Sequence, residues 1–154
     1  INSAGFKPIL NLTGHGLGKW TLHDSPQIPN ARIGIKGSLK AGSIFAIEPF
    51  ATSGKGYVED KGKPEVFMLE RKPKPSNKID LETLKNIQSW NGLPIARRYF
   101  NHLPKKPLER TLKELIKQGT LRQYPPLVEV SNAQIGWKEH SIYLGPDGTE
   151  VLTA

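Results

Sequence analysis

The tightest constraint on this chain is the stretch Asn11–His23, where Gly14, Gly16 and Gly18 surround His15 and a second histidine, His23, follows. Glycine lacks a Cβ, so its backbone can turn through positive φ or let another chain come close. Imidazole held in such a place can bind a metal or carry a proton near neutral pH. The plainer reading is a Gly-rich β-turn with two surface histidines, since a single local motif decides little. Two later segments change the balance. Ala46-Ile-Glu48-Pro49-Phe50 and Lys138-Glu139-His140 supply carboxylates that could meet those imidazoles.

A length of 154 residues fits one domain or a piece of a larger protein. With no cysteine there is no disulfide, no thiolate zinc site and no thiol nucleophile. Any metal must then be held by histidine and carboxylate, which favours open catalytic ions over closed structural ones. No apolar run approaches the roughly 20 residues of a membrane helix. The opening Ile1-Asn-Ser-Ala-Gly-Phe-Lys-Pro8 lacks the form of a secretory signal and lacks methionine. A cytoplasmic protein without a membrane partner is expected, its chain not beginning where translation began. The net charge of +8 suits a nucleic-acid or anionic-membrane partner, an anionic partner within the same protein, or a solvated lysine coat. Because the cations spread along Lys55–Lys78 and Arg97–Arg122, the coat is favoured.

Along the chain, Gly5–Leu10 reads as a short strand entering the glycine loop, and Trp20-Thr-Leu-His23 alternates like another strand. Asp24-Ser-Pro26 and Ile28-Pro29-Asn30 read as turns, and Ala31–Lys40 offers no firm element. Ser43–Glu48 is a mostly apolar strand, expected to be buried on both faces. Glu48 at its end either emerges into solvent at Pro49 or is paired with a cation, because an unpaired charge at a core boundary is costly. Ala51–Lys63 reads as a polar loop, Pro64–Leu69 as a strand and Arg71–Lys78 as a connector. Asp80 is a candidate N-cap for a helix presenting Leu81, Leu84, Ile87 and Trp90 up to Gly92. A short helix over Pro94–His102 presents Ile95, Tyr99 and Leu103. Pro107 is well placed to open a helix, with Leu108, Leu112, Leu115 and Ile116 on one face and Gly119 as its stop. The tail carries a β-hairpin turning at Pro146-Asp-Gly148. The whole reads as α+β, mostly antiparallel, with three parts: 1–78, a helical insertion over 79–120, and 121–154.

Gly14-His15, Ala46-Ile-Glu48-Pro-Phe50, Tyr124-Pro-Pro-Leu127 and Glu139-His140-Ser141-Ile142, in that order, resemble the C-terminal half of a type II methionine aminopeptidase, most like an archaeal one. The resemblance covers essentially the whole chain and implies a half of the pita-bread fold with a winged-helix-like insertion. It implies two divalent ions (Co, Mn, Fe or Zn) and substrates that are N-terminal methionine peptides of nascent proteins. His15, Glu48 and Glu139 would be metal ligands, with Glu139 bridging both ions. His23 would be the catalytic histidine that contacts the scissile amide and also binds substrate. Leu22, Phe50 and Tyr124 would help wall the methionine pocket. The family's two aspartate ligands precede its histidine ligand, whereas Asp24, Asp60, Asp80 and Asp147 all follow His15. An N-terminal half, in the same or a separate chain, is therefore an expected partner, and the ribosome a further one. Gly136-Trp-Lys-Glu139 also replaces the family's Ala-Gln-Phe-Glu.

The competing reading is a non-catalytic pita-bread relative that binds RNA or the ribosome, using Arg97, Arg98, Lys105, Lys106, Arg110, Lys113 and Lys117 on phosphates. Retention of His15, Glu48 and Glu139 together argues against it. His102 and His140 are expected to be structural or exposed. Trp20, Trp90 and Trp137 are expected in the core, and Tyr124-Pro-Pro is open to reading as a strand-entry turn.

Overall fold

Glycine and proline placement explains most of the architecture. The computed structural model describes residues 1–31 and 37–154. Part of the Ala31–Lys40 segment lies outside the described residues, and positions 37–40 carry no regular element. In chain order the strands and helices are β1 (Lys7–Pro8), β2 (Thr13–Gly18), β3 (Thr21–Pro29), β4 (Ser43–Ile47), β5 (Phe50–Thr52), β6 (Val58–Asp60), β7 (Val66–Leu69), α1 (Leu81–Gln88), β8 (Ile95–Ala96), α2 (Lys105–Lys117), β9 (Leu121–Tyr124), β10 (Leu127–Glu129), β11 (Ile135–Trp137), β12 (His140–Gly145) and β13 (Gly148–Val151). The chain divides into two compact units, Ile1–Glu59 with Leu127–Ala154, and Asp60–Pro126. Among the described residues no helix is long and apolar enough to cross a membrane.

In the first unit a five-stranded sheet runs in the order β13-β12-β4-β2-β3, and a three-stranded sheet in the order β1-β5-β11. The expected glycine loop is instead the strand β2, hydrogen-bonded on both sides. Gly14 and Gly16 are there for close approach. A Cβ on Gly14 would overlap the Ala46 carbonyl oxygen, and one on Gly16 would overlap that of Ser25. Trp20, at φ 59°, sits in the tight turn joining β2 to β3 and is exposed rather than core. The two proline turns expected over residues 24–30 are also overruled, because β3 runs through them. Its place at the sheet edge is the reason, since an edge strand tolerates residues without an N–H. β4 forms as expected, but only Phe45 and Ala46 are buried while Ile44 is exposed. The expected polar loop 51–63 contains most of β5 and all of β6. The tail hairpin forms with Gly145 opposite Gly148.

The second unit is a sheet of order β8-β7-β9 with α1, α2 and a core that includes Phe67, Ile87, Phe100, Leu112 and Leu115. Asp80 caps α1 as expected, its Oδ2 accepting from the Thr83 N–H at 2.9 Å. The buried face of α1, however, is Thr83 and Ile87, while Leu81 in the first turn and Trp90 beyond the last are exposed. Residues 94–102 form β8 and a 3-10 turn over Arg97–Phe100 instead of a helix, because Ile95 pairs with Phe67 in the sheet. α2 begins at Lys105 after Pro104 at its N-cap, two residues before the expected opening at Pro107; it buries Leu108, Leu112 and Leu115, and Gly119 follows it at φ 66°.

Candidate functional site

One antiparallel register builds the site. Thr52, Ala51 and Phe50 of β5 lie opposite Ile135, Gly136 and Trp137 of β11. The Lys138 N–H then donates to the Pro49 carbonyl at 3.4 Å. Pairing resumes with the same register in β4 and β12, as Ile47 opposite His140 and Ala46 opposite Ser141. Glu48 therefore falls directly opposite Glu139, in the short gap between two ladders. Pro49 helps make that gap, since it has no N–H to give. His15 pairs with Ala46, two residues from Glu48 and so on the same face.

That face gathers charge in an unusual way. His15 is buried, and its Nε2 lies 3.1 Å from Glu48 Oε1. Its Nδ1 lies 2.9 Å from the Gly16 carbonyl oxygen, which can only accept, so Nδ1 carries the proton. A proton on Nε2, or a cation shared between Nε2 and the Glu48 oxygen, satisfies the 3.1 Å contact. Glu48 is raised above the ordinary carboxylate range, first by burial and then by the charge of Glu139, against the pull of His15. Like charges directly opposite in a ladder are unfavourable, which again marks the place for a cation or proton. His23 packs edge-on to His15, with ring centroids 4.5 Å apart at 72°. Both rings line a cavity of about 450 Å³ with Asn11, Asp24 and Gln27.

Of the sequence-predicted residues, the first unit thus brings His15, His23 and Glu48 together and sets Glu139 opposite Glu48. Leu22 lies beside His23 on β3 and is half-buried. Phe50 stacks on Trp137 with centroids 6.2 Å apart at 13°. Trp137 is 66% exposed, so the expectation of a core tryptophan fails there too. Tyr124 belongs to the second unit, on β9 opposite Val66, with its hydroxyl donating to Met68 Sδ at 3.4 Å. Of the other histidines, His102 is exposed and lies 3.2 Å from Asn86 Oδ1. His140 faces the Thr153 carbonyl at 3.2 Å.

As placed, no group of three or more histidine, aspartate or glutamate side chains among the described residues is arranged to hold a metal ion. By donor type the residues nonetheless fit: a buried imidazole 3.1 Å from one carboxylate, with a second carboxylate across the ladder, is a hard N/O donor set. A backbone carbonyl on the far nitrogen is the support that histidine ligands ordinarily have.

Sequence reasoning missed Glu129. It is 1% exposed and accepts the backbone N–H groups of Lys55, Gly56, Ser131 and Ala133, besides the Ser131 hydroxyl. Those bonds, the Ser131 hydroxyl foremost, hold it down to about 2. A Cβ on Gly54 would come within 2.5 Å of its carboxyl carbon. The clamp fixes the loop that follows β5, the strand that begins two residues after Glu48. The only signal for it was Ser53-Gly-Lys-Gly56, a run of backbone donors with little else to satisfy them.

A family description, metallopeptidase family M24, matches residues 1–83, more than half of the chain. The chain belongs to that family, and membership implies a divalent metal. Its similar relatives are methionine aminopeptidases. That of Archaeoglobus fulgidus is 37% identical over 155 residues, covering 99% of this chain and 52% of the relative. Methionine aminopeptidase 2 of Komagataella phaffii is 32% identical, covering 96% of this chain and 34% of the relative. The chain thus spans about half the length of the archaeal relative. Among solved structures, a thermophilic Arx1 superposes with a TM-score of 0.78 at 15% identity, over 97% of this chain and 41% of that one. Methionine aminopeptidase from Rickettsia prowazekii gives 0.52 at 18% identity, over 99% and 38%. These likenesses bear out the α+β pita-bread fold.

Proposed function

We propose that this chain supplies His15, Glu48 and Glu139 to the metal centre of an aminopeptidase that removes N-terminal methionine from nascent proteins in the cytoplasm. The observation that carries this reading is the opposition of Glu48 and Glu139 with His15 Nε2 at 3.1 Å from Glu48. Three donors can hold one ion with open positions. The second ion of a dinuclear site needs further carboxylates, which the reading assigns to sequence corresponding to the other half of the relatives. An ion held here would polarise the scissile carbonyl and activate water. His23, edge-on to His15 beside the cavity, donates to the carbonyl oxygen as negative charge develops there, and such preorganised donors are worth several kcal/mol. Leu22 and Phe50, both of the first unit, offer apolar surface of the kind that suits a thioether side chain.

The test measures Mn²⁺ and Co²⁺ binding to this chain by calorimetry. Cleavage of a Met-Ala-Ser peptide is followed for this chain alone and mixed with the N-terminal half of the Archaeoglobus relative. Binding that disappears in His15→Ala and Glu139→Gln, with cleavage in the mixture, is the expected result. A folded chain that binds no metal and cleaves nothing in either sample overturns the reading.

A further inference from the structure

Glu139 reaches its place opposite Glu48 by way of a strand that has little of its own to hold it. β11 is three residues long, lies at the edge of its sheet and is laddered to β5. Its middle pair sets Gly136 against Ala51, and a Cβ at Gly136 would meet nothing within 4 Å. Trp137 stacks on Phe50 but stays largely exposed. Register is strongly specified where a strand buries one face and weakly where it buries none. Beyond Glu48 and Glu139 the ladder of β4 with β12 runs over five pairs, so one end of the carboxylate pair is firmly held. At the other end two like charges directly opposite push the strands apart.

Two buried polar side chains close that other end. Glu129 and Thr52 are each 1% exposed. The two carboxylate oxygens of Glu129 serve different segments. Oε1 accepts from the Lys55 and Gly56 N–H groups, while Oε2 accepts from the Ser131 N–H and hydroxyl and from the Ala133 N–H. Thr52 Oγ1 donates to the Gln134 carbonyl at 2.8 Å and accepts from the Gly54 N–H at 3.0 Å. Together they tie residues 52–56, which lead out of β5, to residues 131–134, which lead into β11. An anchor beside so short a ladder decides which residues face one another, and a slip by one residue turns every side chain to the opposite face. Such a slip would take Glu139 off the face that His15 and Glu48 share. We infer that Glu129 and Thr52 are positioning residues for the metal centre, locking the β5–β11 register and so keeping Glu139 opposed to Glu48 against their repulsion. Toward the metal this rests on the proposed function; toward the strands it rests on the hydrogen bonds alone.

The chain has no cysteine, so the register can be read by cross-linking. Ala51 and Gly136 are directly opposite, at the Cα spacing of about 4.5–5.5 Å that a disulfide can span. They alternate with Phe50 and Trp137 and so lie on the face away from the carboxylates. Ala51→Cys with Gly136→Cys should oxidise readily with Glu129 and Thr52 in place, and several-fold more slowly with Glu129→Gln or Thr52→Val. Calorimetric Mn²⁺ affinity should fall on the order of tenfold in each of those two variants. The oxidised disulfide should restore it in either background, until dithiothreitol reduces the bond. Leu115→Ala, which destabilises the other unit, should leave the affinity unchanged and so separates positioning from a general loss of stability. Equal oxidation rates with and without the two side chains overturn the proposal. So does an affinity that falls as far in Leu115→Ala, or that the disulfide fails to restore. A wild type that binds no Mn²⁺ overturns the proposed function instead, and the oxidation rates then decide the role of the clamp by themselves.

Discussion

Gly14→Ala tests whether close approach, and not turning, is what the glycine-rich segment provides. The new Cβ would overlap the Ala46 carbonyl oxygen and stand 3.3 Å from its carbon and 3.4 Å from the Glu48 nitrogen. All three are backbone atoms, so no side chain can swing aside. Relief requires β2 to move away from β4, into which β2 is laddered at His15, Gly16 and Leu17. Overpacking of this kind costs about 1–3 kcal/mol, and each ladder hydrogen bond weakened adds about 1 kcal/mol. A loss of roughly 2–5 kcal/mol lowers Tm by about 5–20 °C for a protein of this size. Gly136→Ala is the control, since nothing lies within 4 Å of its Cβ position and its φ is not positive. It should melt within about 1 kcal/mol of the wild type, on the stable side, because alanine restricts the unfolded chain. The displacement in Gly14→Ala also separates His15 from Glu48, so calorimetric metal affinity should fall with Tm. A Gly14→Ala protein that melts with the wild type would refute the reasoning, and a Gly136→Ala protein that melts as low would do so equally.

Mn²⁺ at about a hundred times its dissociation constant should stabilise the wild type by about 2.7 kcal/mol. That rise in Tm, read by scanning calorimetry, should vanish in Glu48→Gln. Glu129 is held well below its unfolded value, so its contribution is complete above about pH 4.5 and is lost as pH falls toward about 2. Glu129→Gln should therefore melt below the wild type at pH 7, with the difference narrowing steadily on acidification through that window. Gly54→Ala, which crowds the same carboxylate, should also lower Tm, and the two effects should not add because they break one clamp. Leu115→Ala in the fully buried core of the second unit should cost about 2–5 kcal/mol by urea denaturation.

The elements that were legible in the sequence carry their own punctuation. α2 has a stripe of leucines, a proline in its first turn and a glycine after its last. The tail hairpin has Asp-Gly at its turn. The elements that were illegible depend on where they sit in a sheet. Pro26 and Pro29 forbid a central strand but not an edge one, and nothing local says that β3 is an edge. Gly14 and Gly16 look like turn residues because a sequence does not show what approaches them. Glu129 inverts the ordinary alternation: it is buried while Leu127 and Val130 on either side are exposed. Its partners at Lys55 and Gly56 lie more than 70 residues away in the chain. His15, Glu48 and Glu139 were singled out by their motifs, but that His15 and Glu48 share a face opposite Glu139 follows only from the register.

That register also explains why the carboxylates stand at a break in pairing. A continuous ladder from β4 to β5 would place Glu48 and Glu139 as a direct cross-strand pair of like charge, which destabilises a sheet. Proline after Glu48 removes one donor there, while the Lys138 N–H still donates to the Pro49 carbonyl. β5 is then held by other means: the Phe50–Trp137 stack, the Thr52 hydroxyl donating to the Gln134 carbonyl at 2.8 Å, and the Glu129 clamp on the loop that follows. The strand that follows Glu48 is therefore held by neighbours other than the two facing carboxylates.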